Sequence, residues 1–133
     1  MQNMRIFKFN KLVRDKIVEG IIEAGNHPVY HTLNDKEYIE ELKKKLLEEA
    51  KEVPQTNKNS DLIEEIADVQ EVIDNILEVL NVSKSELTKF QSKKNKERGS
   101  FKKRLYIDTV KTKTDSKWTN YYLANPDKYP EVK

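Results

Sequence analysis

Two stretches of this chain, "EYIEELKKKLLEEAKEV" at 37–53 and "DLIEEIADVQEVIDNILEVL" at 61–80, carry apolar residues three and four apart. That is the spacing of one face of an α-helix. Pro54 and "QTNKNS" stand between them and interrupt any continuous helix. Asn34 followed by Glu37 is a capping-box-like start for the first helix, which Tyr38, Ile39, Leu42, Leu46 and Val53 carry forward. The second is expected over about 61–80.

Two further helices are predicted on either side of this pair. One spans about 11–24, with Val13, Ile17, Ile21 and Ala24 on one side, and ends at Gly25-Asn26, residues that tolerate a left-handed backbone. The other opens at Ser83 with Glu86 as a second capping box and runs to about Glu97, anchored only by Leu87 and Phe90. "HPVYHTL" reads as an extended connection, because Pro28 disfavours helix at the residue before it; His27 and His31 are read as surface residues. After Gly99, "SFKKRLYIDTVKT" alternates like a short strand or extended arm. The final "WTNYYLANPDKYPEVK" reads as a tail packed on the body or on a partner, with Trp118 serving packing in preference to base stacking.

Composition narrows the function classes. At 133 residues the chain has the length of one domain with its own core. It has no cysteine, which removes disulfides, thiolate metal sites and cysteine nucleophiles. No apolar run approaches the ~20 residues of a membrane span, and the N-terminus lacks a secretory apolar region, so a cytoplasmic protein is expected. The net charge of +2 hides an uneven distribution. Residues 1–82 hold 11 Lys/Arg against 17 Asp/Glu, whereas residues 83–117 hold 12 against 4. One part is suited to gather cations and the other to hold an anion.

The phase of the acidic residues is the informative irregularity. Each helical residue advances ~100°. With Leu42 at zero, Tyr38, Val53 and Leu46 fall at about −40°, +20° and +40°, and Glu49 falls at about −20°, inside the apolar stripe. Glu52 and Glu48 lie on one flank, near −80° and −120°. In the next helix, with Ile66 at zero, Glu65 lands at about −100° between Ile76 and Val72, and Asp68 borders the arc near −160°. Glu71 and Asp74 have the same spacing as Glu65 and Asp68 but point to the polar side, at about +140° and +80°.

Carboxylates entering a core need compensation, since an unpaired buried charge costs several kcal/mol. No Lys or Arg is read within the apolar arcs of the two helices, and four neighbouring carboxyls do not all protonate near neutral pH. A divalent cation is the remaining remedy if Glu49, Glu52, Glu65 and Asp68 do enter the core; the competing reading is surface charge, since a drift of ~20° over two turns would move Glu65 towards solvent. Carboxylate oxygens without His or Cys suit Mg²⁺, or Mn²⁺, better than Zn²⁺. Such sites commonly recruit substrate phosphates, for which Lys93, Lys96 and Arg98 in the basic segment, with Lys11 and Arg14 on the first helix, are the candidate ligands. Asn75 is a candidate for contact with a base or ribose.

The motifs "EEAKE" at 48–52 and "EIAD" at 65–68 match the pattern EExxE…ExxD. With "NKLVRDKI" and "KKNKERGSFKKR", they give a chain that resembles the all-α nucleoside triphosphate pyrophosphohydrolases, the MazG-like and phosphoribosyl-ATP pyrophosphohydrolase-like superfamily, over about residues 8–107. The resemblance implies an all-α bundle of about four helices over 1–107, with 108–133 as a C-terminal extension, and a homodimer or homotetramer. It implies hydrolysis of a nucleoside triphosphate between the α- and β-phosphates, with house-cleaning of non-canonical or surplus nucleotides as the setting and phosphoribosyl-ATP as an alternative substrate. Glu49, Glu52, Glu65 and Asp68 would hold Mg²⁺, and Glu48 would join a further metal or orient the attacking water.

Two readings from other classes compete with it. A nucleic-acid-binding module built on residues 83–117 is favoured by their charge and opposed by the acidic half and by the scarcity of aromatics within that segment. A purely structural helical dimerisation module accounts for the apolar arcs but leaves Glu49 and Glu65 unexplained.

Overall fold

The computed structural model describes residues 3–133. It contains five α-helices and, among the described residues, no strand: α1 (Asp15–Glu23), α2 (Asp35–Glu52), α3 (Asn59–Val79), α4 (Lys84–Arg98) and α5 (Lys117–Ala124). The all-α expectation holds. No helix is long and apolar enough to cross a membrane. The chain divides into two units, Met1–Lys93 and Lys94–Lys133, so the division falls inside α4, upstream of the boundary expected near residue 107.

In the first unit, α2 and α3 pack along each other, joined by a single 3-10 turn at Val53–Gln55 that begins where Pro54 removes the next helical donor. Tyr38, early in α2, meets Asn75, late in α3. Glu49, late in α2, meets Glu65 and Asp68, early in α3. The two helices are therefore an antiparallel hairpin. The core sits along its seam and consists of Leu42 from α2 with Val72 and Leu77 from α3, the only hydrophobic side chains among the described residues buried below a tenth of their surface. Leu46, Leu62, Val69, Ile73 and Ile76 flank them half-buried.

The caps explain where the helices begin and end. Asn34 Oδ1 accepts from the Glu37 amide at 2.9 Å, as its spacing predicts. Ser83 Oγ accepts from the Glu86 amide at 3.1 Å and also lies 3.4 Å from the Glu86 carboxylate. Helix α1 closes with a double turn in which the Gly25 amide donates to Ile22 and that of Asn26 to Ile21, with Gly25 at φ +83°. Helix α3 closes the same way with Asn81, at φ +55°, in glycine's role.

Three expectations need correction. Helix α1 begins at Asp15, not near residue 11: Lys11 lies in an extended lead-in, and Arg14 is the N-cap with an extended backbone at φ −66°, ψ 152°. An acidic residue in the first turn favours a start there, and the extended Arg14 reaches across to α3. For residues 100–112 the strand reading fails and the extended-arm reading is not contradicted: 104–113 form no strand, helix or turn, and the alternation has no second strand to pair with. The aromatic tail contains a helix, α5, capped by Ser116 Oγ accepting from the Trp118 amide at 3.2 Å.

In the second unit, Thr119 Oγ1 donates to the Lys113 carbonyl at 2.6 Å and lies 2.6 Å from Thr112 Oγ1, tying the preceding segment to α5. Tyr122 and Tyr129 rings pack with centroids 4.8 Å apart.

Leu42 is 3% exposed, so Leu42→Ala is expected to remove about 2–5 kcal/mol of stability in urea denaturation. Leu87 on α4 is 38% exposed; its alanine variant is expected to stay within about 0.5 kcal/mol of wild type.

Candidate metal centre

The antiparallel hairpin brings the last third of α2 beside the first half of α3. Oxygens of Glu49, Glu65 and Asp68 all lie within 4.8 Å of one another. Glu52, one turn beyond Glu49, is exposed and sits against the Glu65 carboxyl. The four carboxylates singled out by helical phase thus share one end of the hairpin. Glu71 and Asp74 behave as their polar-side phase predicts. Glu71 accepts from Asn75 at 2.6 Å, while Asp74 accepts from Gln70 at 2.8 Å and faces Lys84 at 3.6 Å.

The expectation that no basic residue reaches these carboxylates is overturned. Lys45, only 17% exposed at its side chain, lies 3.7 Å from Glu49 and 3.4 Å from Glu48. Lys11 reaches Glu48 at 3.3 Å, and the Arg14 guanidinium donates to Asp68 at 2.7 Å. The sequence held the signal for Lys45: relative to Leu42 it falls at about −60°, within the same arc as Glu49, and it stands three and four residues ahead of Glu48 and Glu49. Its long methylene stem crosses the apolar edge and delivers the ammonium to the carboxylates beyond.

The compensation is incomplete. Three cations face five carboxylates, counting Glu48 and Glu52. No cation reaches Glu65, and its Oε2 is buried without a hydrogen-bond partner. The electrostatics follow from these contacts. Glu65 is raised above the ordinary carboxyl range, first by the Glu52 carboxyl beside it, then by partial burial and by the charges of Glu52, Asp68 and Glu49. Glu49 is raised by burial and by the charge of Glu52, against the opposing pull of Lys45. For Glu48, burial works upward, but the hydrogen bond from Lys11 and the charge of Lys45 outweigh it, leaving its carboxyl below the usual range.

Glu49, Glu65 and Asp68 are the residues that could hold a hard divalent cation. The donors are all carboxylate oxygens, one of them is buried and unpaired, and the group stays acidic after its internal cations are counted.

The remaining candidates fall elsewhere. Asn75 is held by Tyr38, whose hydroxyl donates to it at 3.3 Å, and by its own bond to Glu71. It lines a recess of about 330 Å³ with Asp35, Tyr38, Glu78 and Val79. Burial, followed by the charges of Glu78, Asp15 and Glu71, raises the Tyr38 phenol. Lys93 is exposed on α4, the last residue of the first unit. Lys96 and Arg98 are exposed in the last turn of that helix and belong to the second unit.

The upward shifts of Glu49 and Glu65 fix the sign of a pH effect. A carboxyl whose folded value is raised contributes stability that is present at low pH and lost as pH rises through that value. Without divalent ions, the melting temperature is expected to rise as pH is lowered from neutral towards the upper carboxyl range. Glu48, shifted downward, opposes this only at lower pH. Glu65→Gln is expected to raise the neutral melting temperature and to flatten the slope; an unchanged slope in thermal scans counts against the upward shift of Glu65.

No family model, no curated protein and no solved structure matches this chain.

Proposed function

We propose that the protein is a Mg²⁺-dependent nucleoside triphosphate pyrophosphohydrolase of the MazG-like, all-α kind. The observation that carries this reading is the convergence of Glu49, Glu65 and Asp68 oxygens within 4.8 Å at one end of the α2–α3 hairpin. The motif resemblance over residues 8–107 supplies the reaction: water attacks the α-phosphorus, the bond to the bridging oxygen breaks, and monophosphate and pyrophosphate leave.

Glu49, Glu65 and Asp68, with Glu52 at the edge, would hold Mg²⁺, which when bound neutralises the triphosphate and makes a coordinated water more acidic. Glu48 lies beside this group rather than in it. Its carboxyl is kept ionised by Lys11 and Lys45, the state required of a base that orients a water and accepts its proton. Lys11, Arg14 and Lys45 are within reach of the same space and can turn from carboxylate to phosphate oxygens as the substrate arrives. Lys93 is a further phosphate ligand in this reading, whereas Lys96 and Arg98 belong to the second unit and are left out of it. Asn75 lies seven residues beyond Asp68 on α3, about 10 Å along the axis and on nearly the same face. It is therefore the residue for the sugar or base. Non-canonical or surplus nucleotides are the proposed substrates.

A second copy of the chain belongs to this proposal. Leu47, Ile63 and Ile66 are 58%, 66% and 52% exposed on the helices that carry the acidic residues. With only three buried hydrophobic side chains in the seam, an apolar surface of this kind is best covered by another subunit.

The test is pyrophosphate release from a panel of canonical and modified triphosphates and phosphoribosyl-ATP, with Mg²⁺ and with chelator. Release that requires Mg²⁺ and drops by roughly a hundredfold or more in Glu49→Gln is expected, the scale of losing an electrostatic partner of the transition state. Mg²⁺ at about a hundred times its Kd is expected to stabilise wild type by about 2.7 kcal/mol, and Glu65→Gln much less. Orthophosphate as the product, or no turnover of any panel member by protein that binds Mg²⁺, would reject the assigned reaction.

A further inference from the structure

The second unit carries chemistry that the acidic centre does not use. Residues 94–133 hold 11 Lys/Arg against 5 Asp/Glu and contain the only tryptophan of the chain. Between the segment 110–113 and α5 lies an open recess of about 370 Å³. Lys111 and Lys113 stand on one side, Trp118 and Tyr122 on the other, and no carboxylate lines it. Thr119 fixes this arrangement by binding the Lys113 carbonyl.

Trp118 does not behave as a packing residue alone. Its ring stacks on Tyr122, with centroids 6.4 Å apart and planes 28° apart, which fixes its orientation. Yet it remains 54% exposed. A large flat aromatic surface is held towards water, and the exposed Lys117 side chain places its Nζ over the ring, 5.5 Å from the centroid. Rigid aromatic platform and flanking cations are the two parts of a site for a base and its phosphates. The base must be unstacked to reach such a platform, which excludes a closed duplex.

We propose that this recess binds single-stranded nucleic acid, with one base stacked on Trp118 and the adjoining phosphates met by Lys111, Lys113 and Lys117. Lys102, Lys103 and Arg104 precede the recess in sequence and belong to the same unit. A strand, with successive phosphates, uses such a run of cations more fully than a lone nucleotide does.

The test uses the full chain in chelator, so that no divalent ion can bridge phosphate to the acidic centre. Oligothymidylate is titrated at low salt while the intrinsic fluorescence of Trp118 is followed, and labelled oligothymidylate is followed by anisotropy. Saturable quenching is expected, with much weaker binding of thymidine monophosphate. Trp118→Ala is expected to weaken oligonucleotide binding by about ten- to a hundredfold, the worth of one stacked base, and Trp118→Phe to restore most of it. The double variant Lys111→Gln, Lys113→Gln touches only exposed side chains and is expected to reduce the slope of log K against log salt by about 0.7 per lysine. Equal affinity for thymidine monophosphate would make this a mononucleotide recess and overturn the strand assignment. Absence of quenching would also overturn it, as would acrylamide access to Trp118 that falls with protein concentration while no oligonucleotide binds, the signature of a second copy covering the ring.

Discussion

Mutual repulsion among carboxylates at one end of the α2–α3 hairpin is the constraint on which the rest of the first unit depends. Glu49, Glu65 and Asp68 are forced together by the same antiparallel packing that buries Leu42, Val72 and Leu77. The helix carrying Glu49 also ends there, so the partial negative charge of its terminal carbonyls adds to the crowd. Lys45, Lys11 and Arg14 answer this repulsion, and their positions are intelligible as responses to it. Arg14 leaves the helical conformation to reach Asp68, and Lys45 gives up most of its exposure to lie beside Glu49.

The hairpin separates two polar regions that helical spacing alone would blur. Glu71, Asp74 and Asn75 satisfy one another and their neighbours through local bonds. The group around Glu65 has no such local solution: its buried oxygen is left without a partner. The difference between these two acidic pairs of identical spacing lies in which face of α3 they occupy. Face, more than composition, decides which charges carry chemical potential for a ligand.

Much of this arrangement is legible in the sequence. Helical phase separates Glu49, Glu65 and Asp68 from Glu71 and Asp74 because a turn of ~100° per residue holds well over two or three turns. The caps at Asn34 and Ser83 and the stop at Gly25 were readable because each depends on one or two local hydrogen bonds. Lys45 escaped because a lysine is read by its charge, whereas its position followed from its stem. The true start of α1 escaped because Arg14 is placed by a partner 54 residues away. Helix α5 is hidden because prolines and aromatics obscure the spacing of Trp118, Tyr121 and Tyr122, and the alternation of 100–112 fits a strand or an extended arm until the lack of a pairing strand decides it.

The small seam has an evolutionary consequence. A fold that seals just Leu42, Val72 and Leu77 from water leaves most other positions answerable to little beyond helix propensity and solubility. Selection can act strongly only where a side chain is confined or chemically committed.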